Sequence, residues 1–266
     1  MIYKSLNQVG TEEILKCINK AFSDYSMPIK FTAETMQLFF KTSDINKDLS
    51  FCAYSGDDMV GFILNSSNIY NKEPVVFDAG TGVVPEFRGQ GVFTSLYAYT
   101  EQELCKHGIK KYYLEVLQHN VRAKSLYERN GFSITREFSV MQLDKLLGEC
   151  NAKNVQVVEL EEFNFIEAKK LVQVKPSYEH SLNVIRKNAD LYRVAYLESC
   201  GNITAYCIYD DKCGRLIMLG YHDIADLKEV LKYIADKYGT VIAKNIDTSY
   251  GSLIDMMLSI GFKQIA

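Results

Sequence analysis

The chain has 266 residues, enough for one large domain or two of ordinary size. Its net charge of −3 gives no basic surface of the kind that binds nucleic acid, and 47% hydrophobic residues are usual for a globular protein. No apolar run approaches the roughly 18 residues of a membrane-spanning helix, so we expect no membrane association. The seven cysteines are scattered without a C-x-x-C pair, which favours thiols in a reducing cytoplasm and no metal site.

The first half of the chain predicts one strand, two helices and then three strands, the last of which is long. Thr11 suits a helix cap, and Glu12 and Glu13 suit the positive helix end. In chain order these elements are a strand at 3–6, helices at 11–22 and 32–41, strands at 50–54 and 59–64, a polar loop at 65–74 and a strand at 74–84. Gly80 and Gly82 within the long strand indicate a bulge or a close backbone approach.

A glycine turn, Arg88-Gly89-Gln90-Gly91, follows the long strand. A helical stripe begins directly behind it, formed by Phe93, Leu96, Tyr97, Thr100 and Leu104. A glycine turn that leads into a helix presents free N–H groups and the positive end of the helix dipole, which together bind anions such as a pyrophosphate. A packing turn without a ligand is the other interpretation of this pattern.

A second motif follows a strand predicted at 110–118 and reads Asn120-x-x-Ala123-x-x-Leu126-Tyr127-x-x-x-Gly131-Phe132. Together with Arg88-x-x-Gly91-x-Phe93, it resembles the signature of the GNAT acyltransferase superfamily, over roughly residues 1–145. The departure is Phe93, where the family usually has glycine or alanine. A phenylalanine at this position can point into the core and leave the N–H groups accessible.

The resemblance implies an α/β (α+β) fold with two GNAT-like domains, each a mixed, mostly antiparallel sheet flanked by helices. In that family two adjacent parallel strands splay apart, and the pantetheine arm of acetyl-CoA enters between them. By resemblance, those strands are 75–84 and 110–118. Residues 132–143 would complete the first sheet as its last strand or pair of strands.

Acetyl-CoA is the co-substrate that the resemblance implies. The backbone of Val83 and Val84 would bind the pantetheine amides, and one of their N–H groups would polarise the thioester carbonyl. Asn120 would bind the pantetheine arm, and it equally suits a plain helix N-cap. The other cofactor contacts that we expect are Arg88, Gly89, Gln90, Gly91, Val92, Phe93, Thr94, Ala123 and Tyr127.

Transfer of an acetyl group to an amine needs a base for the amine proton and an acid for the departing thiolate. By resemblance, Tyr127 is the acid, and it also suits a core face of an amphipathic helix. Asp78 and Glu115 are the acids nearest the expected splay, and each is either the general base or a structural carboxylate. Asp24 and Tyr25 lie where the family forms its acceptor pocket, so Asp24 pairs with a cationic acceptor or belongs to a surface turn.

We expect the first domain at residues 1–145 and the second at 151–266. The second half repeats the order of elements, with Asn245 in the place of Asn120 and Gly261-Phe262 ending its last helix. It has no Arg-x-x-Gly turn, and Asp223 and Asp226 would repel a pyrophosphate. It is therefore expected to be a degenerate GNAT-like domain that does not bind coenzyme A.

The sequence thus predicts a cytoplasmic N-acetyltransferase that moves an acetyl group from acetyl-CoA to a primary amine of a small molecule or peptide by direct attack. No nucleic acid or membrane partner is expected. The alternative is a non-catalytic coenzyme A-binding module with a regulatory or interaction function. Release of free coenzyme A with a suitable amine separates the two.

Overall fold

A computed structural model describes residues 1–24, 30–148, 150–152 and 154–266 of the chain. The chain divides into two compact units, Met1–Ser133 and Ile134–Ala266. The boundary lies earlier than the expected one between 145 and 151, because the strand Phe138–Leu143 pairs with strands of the second unit. No helix in the described part of the chain is long and apolar enough to cross a bilayer.

The first unit is a five-stranded sheet with the strand order β1-β2-β3-β4-β5. Among its described strands only β4 and β5 are parallel, and the other neighbours are antiparallel. The elements are β1 (Ile2–Ser5), α1 (Thr11–Ala21), α2 (Ala33–Thr42), β2 (Phe51–Ser55), β3 (Asp58–Tyr70), β4 (Glu73–Val83), α3 (Val92–Lys106), β5 (Tyr112–Leu114) and α4 (Val121–Arg129). This order confirms the predicted succession of helices and strands up to α4.

The core of the first unit lies between this sheet and its helices. Ile14 and Ile18 of α1 and Leu96 of α3 are buried, together with Phe62 and Ile63 of β3. The apolar stripes predicted for the two helices are therefore the faces that pack on the sheet.

The polar loop predicted at 65–74 is wrong, because β3 continues through it to Tyr70. Residues 65–70 pair with 73–78 of β4, and Asn65 and Ser66 are buried despite their polarity. Asn71 and Lys72 form the turn with φ of 52° and 67°, the left-handed conformation that tight hairpins need. Tertiary pairing thus outweighs the low strand propensity of this segment.

The second unit is an eight-stranded mixed sheet with the order β13-β6-β12-β11-β10-β9-β7, and β8 pairs with β11 beside this path. Its only parallel pair within the described residues is β11 with β12. The elements are β6 (Phe138–Leu143), β7 (Gln156–Glu159), α5 (Phe165–Ala168), β8 (Val172–Gln173), α6 (Leu182–Ile185), β9 (Tyr192–Ser199), β10 (Asn202–Asp210), β11 (Leu216–Tyr221), α7 (Ile224–Tyr238), β12 (Val241–Asp247), α8 (Gly251–Ser259) and β13 (Phe262–Gln264). Both sheets confirm the mixed, mostly antiparallel organisation.

Two details of the second unit differ from the sequence expectation. Strand β6, expected to end the first sheet, lies between β12 and β13. The side chain of Asn245, expected to act like Asn120, does not cap a helix, because Asn245 lies within β12 and Tyr250 precedes α8. Strand pairing decides both placements, and pairing between distant segments leaves little local signal in the sequence.

Candidate active site

Strands β4 and β5 of the first unit diverge beyond Asp78. They pair only at Val76 with Tyr112, Phe77 with Tyr113 and Asp78 with Leu114. Residues 79–83 of β4 continue beside β3. The register between β3 and β4 shifts at this point, so Ala79 is the extra residue of a β-bulge. A parallel strand pair that splays at a bulge is the geometry expected for 75–84 and 110–118, although the paired part of β5 is only three residues long.

Beyond the bulge, some backbone groups of β4 point toward the edge that no longer pairs with β5. The N–H of Val84 donates to the carbonyl of Val60 on β3 at 2.9 Å. Because antiparallel neighbours alternate between hydrogen-bonded and non-hydrogen-bonded pairs, the backbone of Val83 and of Thr81 points away from β3. The Val84 N–H is thus already paired and does not suit the expected thioester contact, whereas the N–H of Val83 points toward the gap.

The glycine turn adopts the conformation that an anion site needs. Gly89 and Gly91 have φ of 74° and 78°, and a side chain at either position would meet no atom within 4 Å. Gly91 precedes α3, and within the described residues no side chain caps this helix. Ser95 donates the first intrahelical bond, to Gly91, so the N–H groups at 92–94 have no partner in the helix. The turn therefore exposes donors and the positive helix end.

Phe93 points into the core and does not cover the turn. Its side chain is buried, and its ring stacks on Tyr97 at 5.9 Å between centroids. The edge of the same cluster is formed by Tyr127, whose ring lies 5.6 Å from Phe93 and 5.5 Å from Phe132. The departure from the family signature thus adds an aromatic contact between α3 and α4 and leaves the donors of the turn accessible.

The sequence suggested that Arg88 contacts a phosphate at the turn. In the structure its side chain does not extend in that direction. Its guanidinium binds both carboxylate oxygens of Asp24, at 2.7 and 2.9 Å. It also donates to the carbonyls of Val83 and Ala21. The hydrogen bond from Arg88 holds the pKa of Asp24 below its usual range, so Asp24 is an ionised partner of Arg88. Both oxygens of Asp24 are engaged in this pair, which disfavours its expected contact with a cationic acceptor.

Gln90 and Tyr25 are two further residues that were expected at the site. The side chain of Gln90 donates to the carbonyl of Glu86 at 2.7 Å, so its contribution to an anion site would come from its backbone. Tyr25, expected at the acceptor pocket, lies outside the residues that the structure describes.

Asp78 is buried at the point where the strands diverge. Its Oδ1 accepts a hydrogen bond from the N–H of Gly80 at 2.9 Å, and its Oδ2 accepts one from the hydroxyl of Thr81 at 2.6 Å. Burial raises the pKa of Asp78 to about 6, against the opposing effect of the two hydrogen bonds. A carboxylate with this pKa is mostly ionised near pH 7 and still accepts a proton readily, which suits a general base.

Glu115, the other candidate base, directly follows the last paired residue of β5 and is half-buried. The structure thus brings both acids to the start of the gap between β4 and β5. Of the two, only Asp78 is fully buried, and burial raises its pKa. These two properties make it the stronger candidate for the base.

Helix α4 positions Tyr127 and Asn120. The side chain of Asn120 caps the helix by accepting from the N–H of Ala123 at 3.1 Å, which leaves its amide N–H₂ group as the part that can donate to a ligand. Tyr127 lies two turns further along and is half-buried against Phe93 and Phe132. Its apolar ring is packed, which is compatible with a hydroxyl that acts as a proton donor.

Sequence reasoning missed three polar residues around Asp78. Tyr112 donates its hydroxyl hydrogen to Oδ1 of Asn65 at 2.6 Å, and Asn65 donates to the carbonyl of Leu49. Burial raises the pKa of Tyr112 well above its usual range, and the negative charge of Asp78 adds to this. Thr81, the third, contacts Asp78 only because of the bulge. The strand glycines were the one available signal for it.

The second unit has a corresponding parallel strand pair. The start of its helix and the gap between its strands both differ from those of the first unit. Asp223 directly precedes helix α7, and its carboxylate accepts from the N–H of Ala225 at 2.7 Å. Strands β11 and β12 pair only at Leu216 with Ala243. Further along β11, β8 pairs with Gly220 and Tyr221. Because β10 pairs with the other edge of β11, β8 lies on the edge where β12 no longer pairs. The helix start is thus capped by a carboxylate, and the gap holds a strand of the chain.

Residues 13–132 match the family model described as the acetyltransferase (GNAT) family. No curated protein matches the sequence. Among solved structures, a GCN5-related N-acetyltransferase from Sphaerobacter thermophilus is 15% identical with a TM-score of 0.62, over 99% of this chain and 92% of that one. The glucosamine N-acetyltransferase region of a fungal multi-domain GH3 β-N-acetylglucosaminidase is 13% identical with a TM-score of 0.67, over 99% of this chain and 37% of that one.

At these identities the solved structures show the shared fold, and the family match shows the class. The match lies within the first unit, which is a GNAT acetyltransferase domain. Acetyl-CoA is the co-substrate of this class of enzyme. The splay between β4 and β5, the glycine turn and the motif on α4 are the parts of the first unit that fit this cofactor.

Proposed function

We propose that this chain transfers the acetyl group of acetyl-CoA to a primary amine of a small molecule or peptide by direct attack of the amine on the thioester. The observation that carries the proposal is the gap that begins at the buried carboxylate of Asp78 and ends at the turn of Gly89 and Gly91. The first feature supplies a base, and the second supplies an anion site. The strand between them supplies backbone donors.

The pyrophosphate of acetyl-CoA would bind the N–H groups of the turn and of the first residues of α3. The pantetheine arm would lie in the gap, where it would take the place of a neighbouring strand and bind the backbone of Thr81 and Val83. The deeper of these two residues, Thr81, lies beside Asp78. Its N–H is the donor best placed to stabilise the oxyanion that forms when the amine attacks the thioester carbon.

Two side chains would carry the proton transfers of the reaction. Asp78 would take the proton of the attacking amine, directly or through one water, because a protonated amine has no lone pair for attack. Tyr127 would give its phenolic proton to the departing thiolate of coenzyme A. Glu115 remains the alternative base, and it lies at the same end of the gap.

The domain assignment that we propose follows the compact units. The first unit carries the acetyl-CoA site, and the second is a GNAT-like domain without one. The capped start of α7 and the pairing of β8 with β11 both support the second statement. All seven cysteines are free thiols, which supports a reducing, cytoplasmic location.

A matched pair of substitutions tests the proposed acetyl-CoA site. Gly91→Asn and Gly91→Asp have nearly the same shape, and both residues tolerate the left-handed conformation of Gly91 better than others do. We expect the Asn variant to keep acetyl-CoA binding and the Asp variant to lose it, because its carboxylate would repel the pyrophosphate. A ligand at 100 times its Kd adds about 2.7 kcal/mol of stability, which a thermal melt detects.

Turnover is tested separately, by release of free coenzyme A across a panel of primary amines. Binding in the Asn variant and release with at least one amine is the expected result. Equal binding by both Gly91 variants would contradict an anion site at the turn. Tight binding with no release across a broad panel would contradict the transferase proposal.

A further inference from the structure

We propose that Thr81 is a positioning residue for the general base, holding the carboxylate of Asp78 in its ionised form and in one orientation at the start of the gap. The inference rests on the proposed function, in which Asp78 accepts the amine proton. Its basis is a contact that an unbroken strand cannot make. In an ordinary strand, residues three apart point to opposite faces of the sheet.

The bulge at Ala79 changes this alternation. Asn65 of β3 lies opposite Asp78, and Leu64 lies opposite Gly80, so one residue of β4 is left over. The extra residue brings Thr81 to the face on which Asp78 lies, and the Thr81 hydroxyl reaches Oδ2 at 2.6 Å. This length is typical of a hydrogen bond between a hydroxyl and a charged carboxylate. The bulge and the hydroxyl therefore act together on one carboxylate oxygen.

Among the described residues, Thr81 is the side chain that donates a hydrogen bond to Asp78. The hydroxyl of Tyr112 on β5 donates to Asn65 on β3. Behind Tyr112, α3 contributes Tyr97, whose ring lies 5.9 Å away. The other titratable groups near this face are the phenol of Tyr127 on α4 and the carboxyl of Glu115 after β5. None of these groups is a cation that could replace the hydroxyl of Thr81.

The hydroxyl of Thr81 serves both states of the base. It donates to the carboxylate before the amine proton arrives, and it can rotate to accept from the carboxylic acid afterwards. Because hydrogen bonding favours the charged form, this contact lowers the pKa of Asp78 against the effect of burial. Loss of the hydroxyl should therefore raise the pKa of Asp78 above its present value of about 6.

Thr81→Val and Thr81→Ser form a matched pair for the test. Valine keeps the branched shape and the backbone N–H, and serine keeps the hydroxyl. Carboxyl-carbon NMR with isotope-labelled aspartate, assigned through Asp78→Asn, follows the ionisation of Asp78 without turnover. We expect the Val variant to titrate about one pH unit higher than wild type, a tenfold change in the ionisation constant, and the Ser variant to titrate close to wild type.

The pH profile of kcat/KM tests the link to catalysis. In the Val variant the rising limb should move up with the NMR midpoint, so that the rate falls about tenfold at pH 5 and converges with wild type near pH 9. The KM for acetyl-CoA should stay unchanged. An unmoved NMR midpoint in the Val variant overturns the inference. A moved NMR midpoint with an unmoved rate limb overturns the assignment of Asp78 as the base, which belongs to the proposed function.

Discussion

Arg88 binds both carboxylate oxygens of Asp24, with Nη1 2.7 Å from Oδ2 and Nη2 2.9 Å from Oδ1. The same guanidinium donates to the carbonyl of Val83 at the end of β4 and to that of Ala21 at the end of α1. Arg88 therefore connects three segments just before the glycine turn. Its side chain holds the chain that enters the glycine turn, and its guanidinium is directed toward these partners and not toward the turn.

Substitution of Arg88 should weaken acetyl-CoA binding through the geometry of the turn. We expect Arg88→Lys to raise the Kd about tenfold, because an ammonium group cannot reproduce a planar fork that satisfies three acceptors. Asp24→Asn should weaken binding by less, since the amide oxygen still accepts one hydrogen bond. Calorimetric titration measures both. A direct phosphate contact predicts the opposite for Asp24→Asn, because the freed guanidinium would then bind the ligand more tightly.

Asp78→Asn should change stability and activity in opposite directions. The pKa of Asp78 is raised from 3.8 to about 6, so the folded chain binds more protons than the unfolded chain between these values. Stability is therefore lost as pH rises through this window in the wild type. The Asn variant lacks this loss, and we expect it to gain up to about 3 kcal/mol on the wild type between pH 3.5 and pH 7.

Urea unfolding of both proteins at several pH values measures this difference. The same variant should have little acetyl transfer activity at pH 7, because the amine proton has no acceptor. An identical pH dependence of stability in the two proteins would show that Asp78 has an ordinary pKa.

Tyr127→Phe should lower turnover and leave binding nearly unchanged. The contacts of its ring with Phe93 and Phe132 do not involve the hydroxyl, so the aromatic cluster should persist. We expect kcat to fall about tenfold to a hundredfold, within the usual contribution of a general acid, while the KM for acetyl-CoA stays constant. Steady-state kinetics separate the two parameters. Full turnover in the variant would exclude Tyr127 as the acid.

The chain should bind one molecule of acetyl-CoA. In the second unit, the carboxylate of Asp223 already caps α7, and β8 pairs with β11 where a pantetheine arm would lie. Calorimetry should therefore give a stoichiometry of one for the wild type and no binding for Gly91→Asp. Residual binding of one molecule in the Gly91→Asp variant would place a second donor site in the second unit.

Arg136→Ala should destabilise the second unit. The guanidinium of Arg136 binds the buried carboxylate of Asp247 at 2.6 Å and donates to the carbonyls of Lys175 and Pro176. Removal leaves a buried charge without its partner, which costs about 3 kcal/mol. Arg136→Lys keeps the charge and should cost less. Thermal unfolding measures both, and equal melting temperatures for the wild type and the Ala variant would contradict this prediction.

Much of the first unit was predictable because its signals are local. The glycine turn, the stripe of α3 and the motif on α4 each lie within one stretch of sequence, and local backbone preferences act over that range. The turn glycines need a left-handed conformation, and their order in the sequence already indicates it. Asp223, which was expected to repel a pyrophosphate, caps the start of α7.

The sequence by itself determined the class of the first unit, the order of its elements and the position of the glycine turn. Only the tertiary structure decided that Arg88 binds Asp24, that Thr81 shares a face with Asp78, and that the strand 138–143 pairs within the second unit. Each of these depends on pairing between distant segments or on a one-residue shift of register. A shift of one residue reverses the face of every side chain that follows, and no local pattern records it.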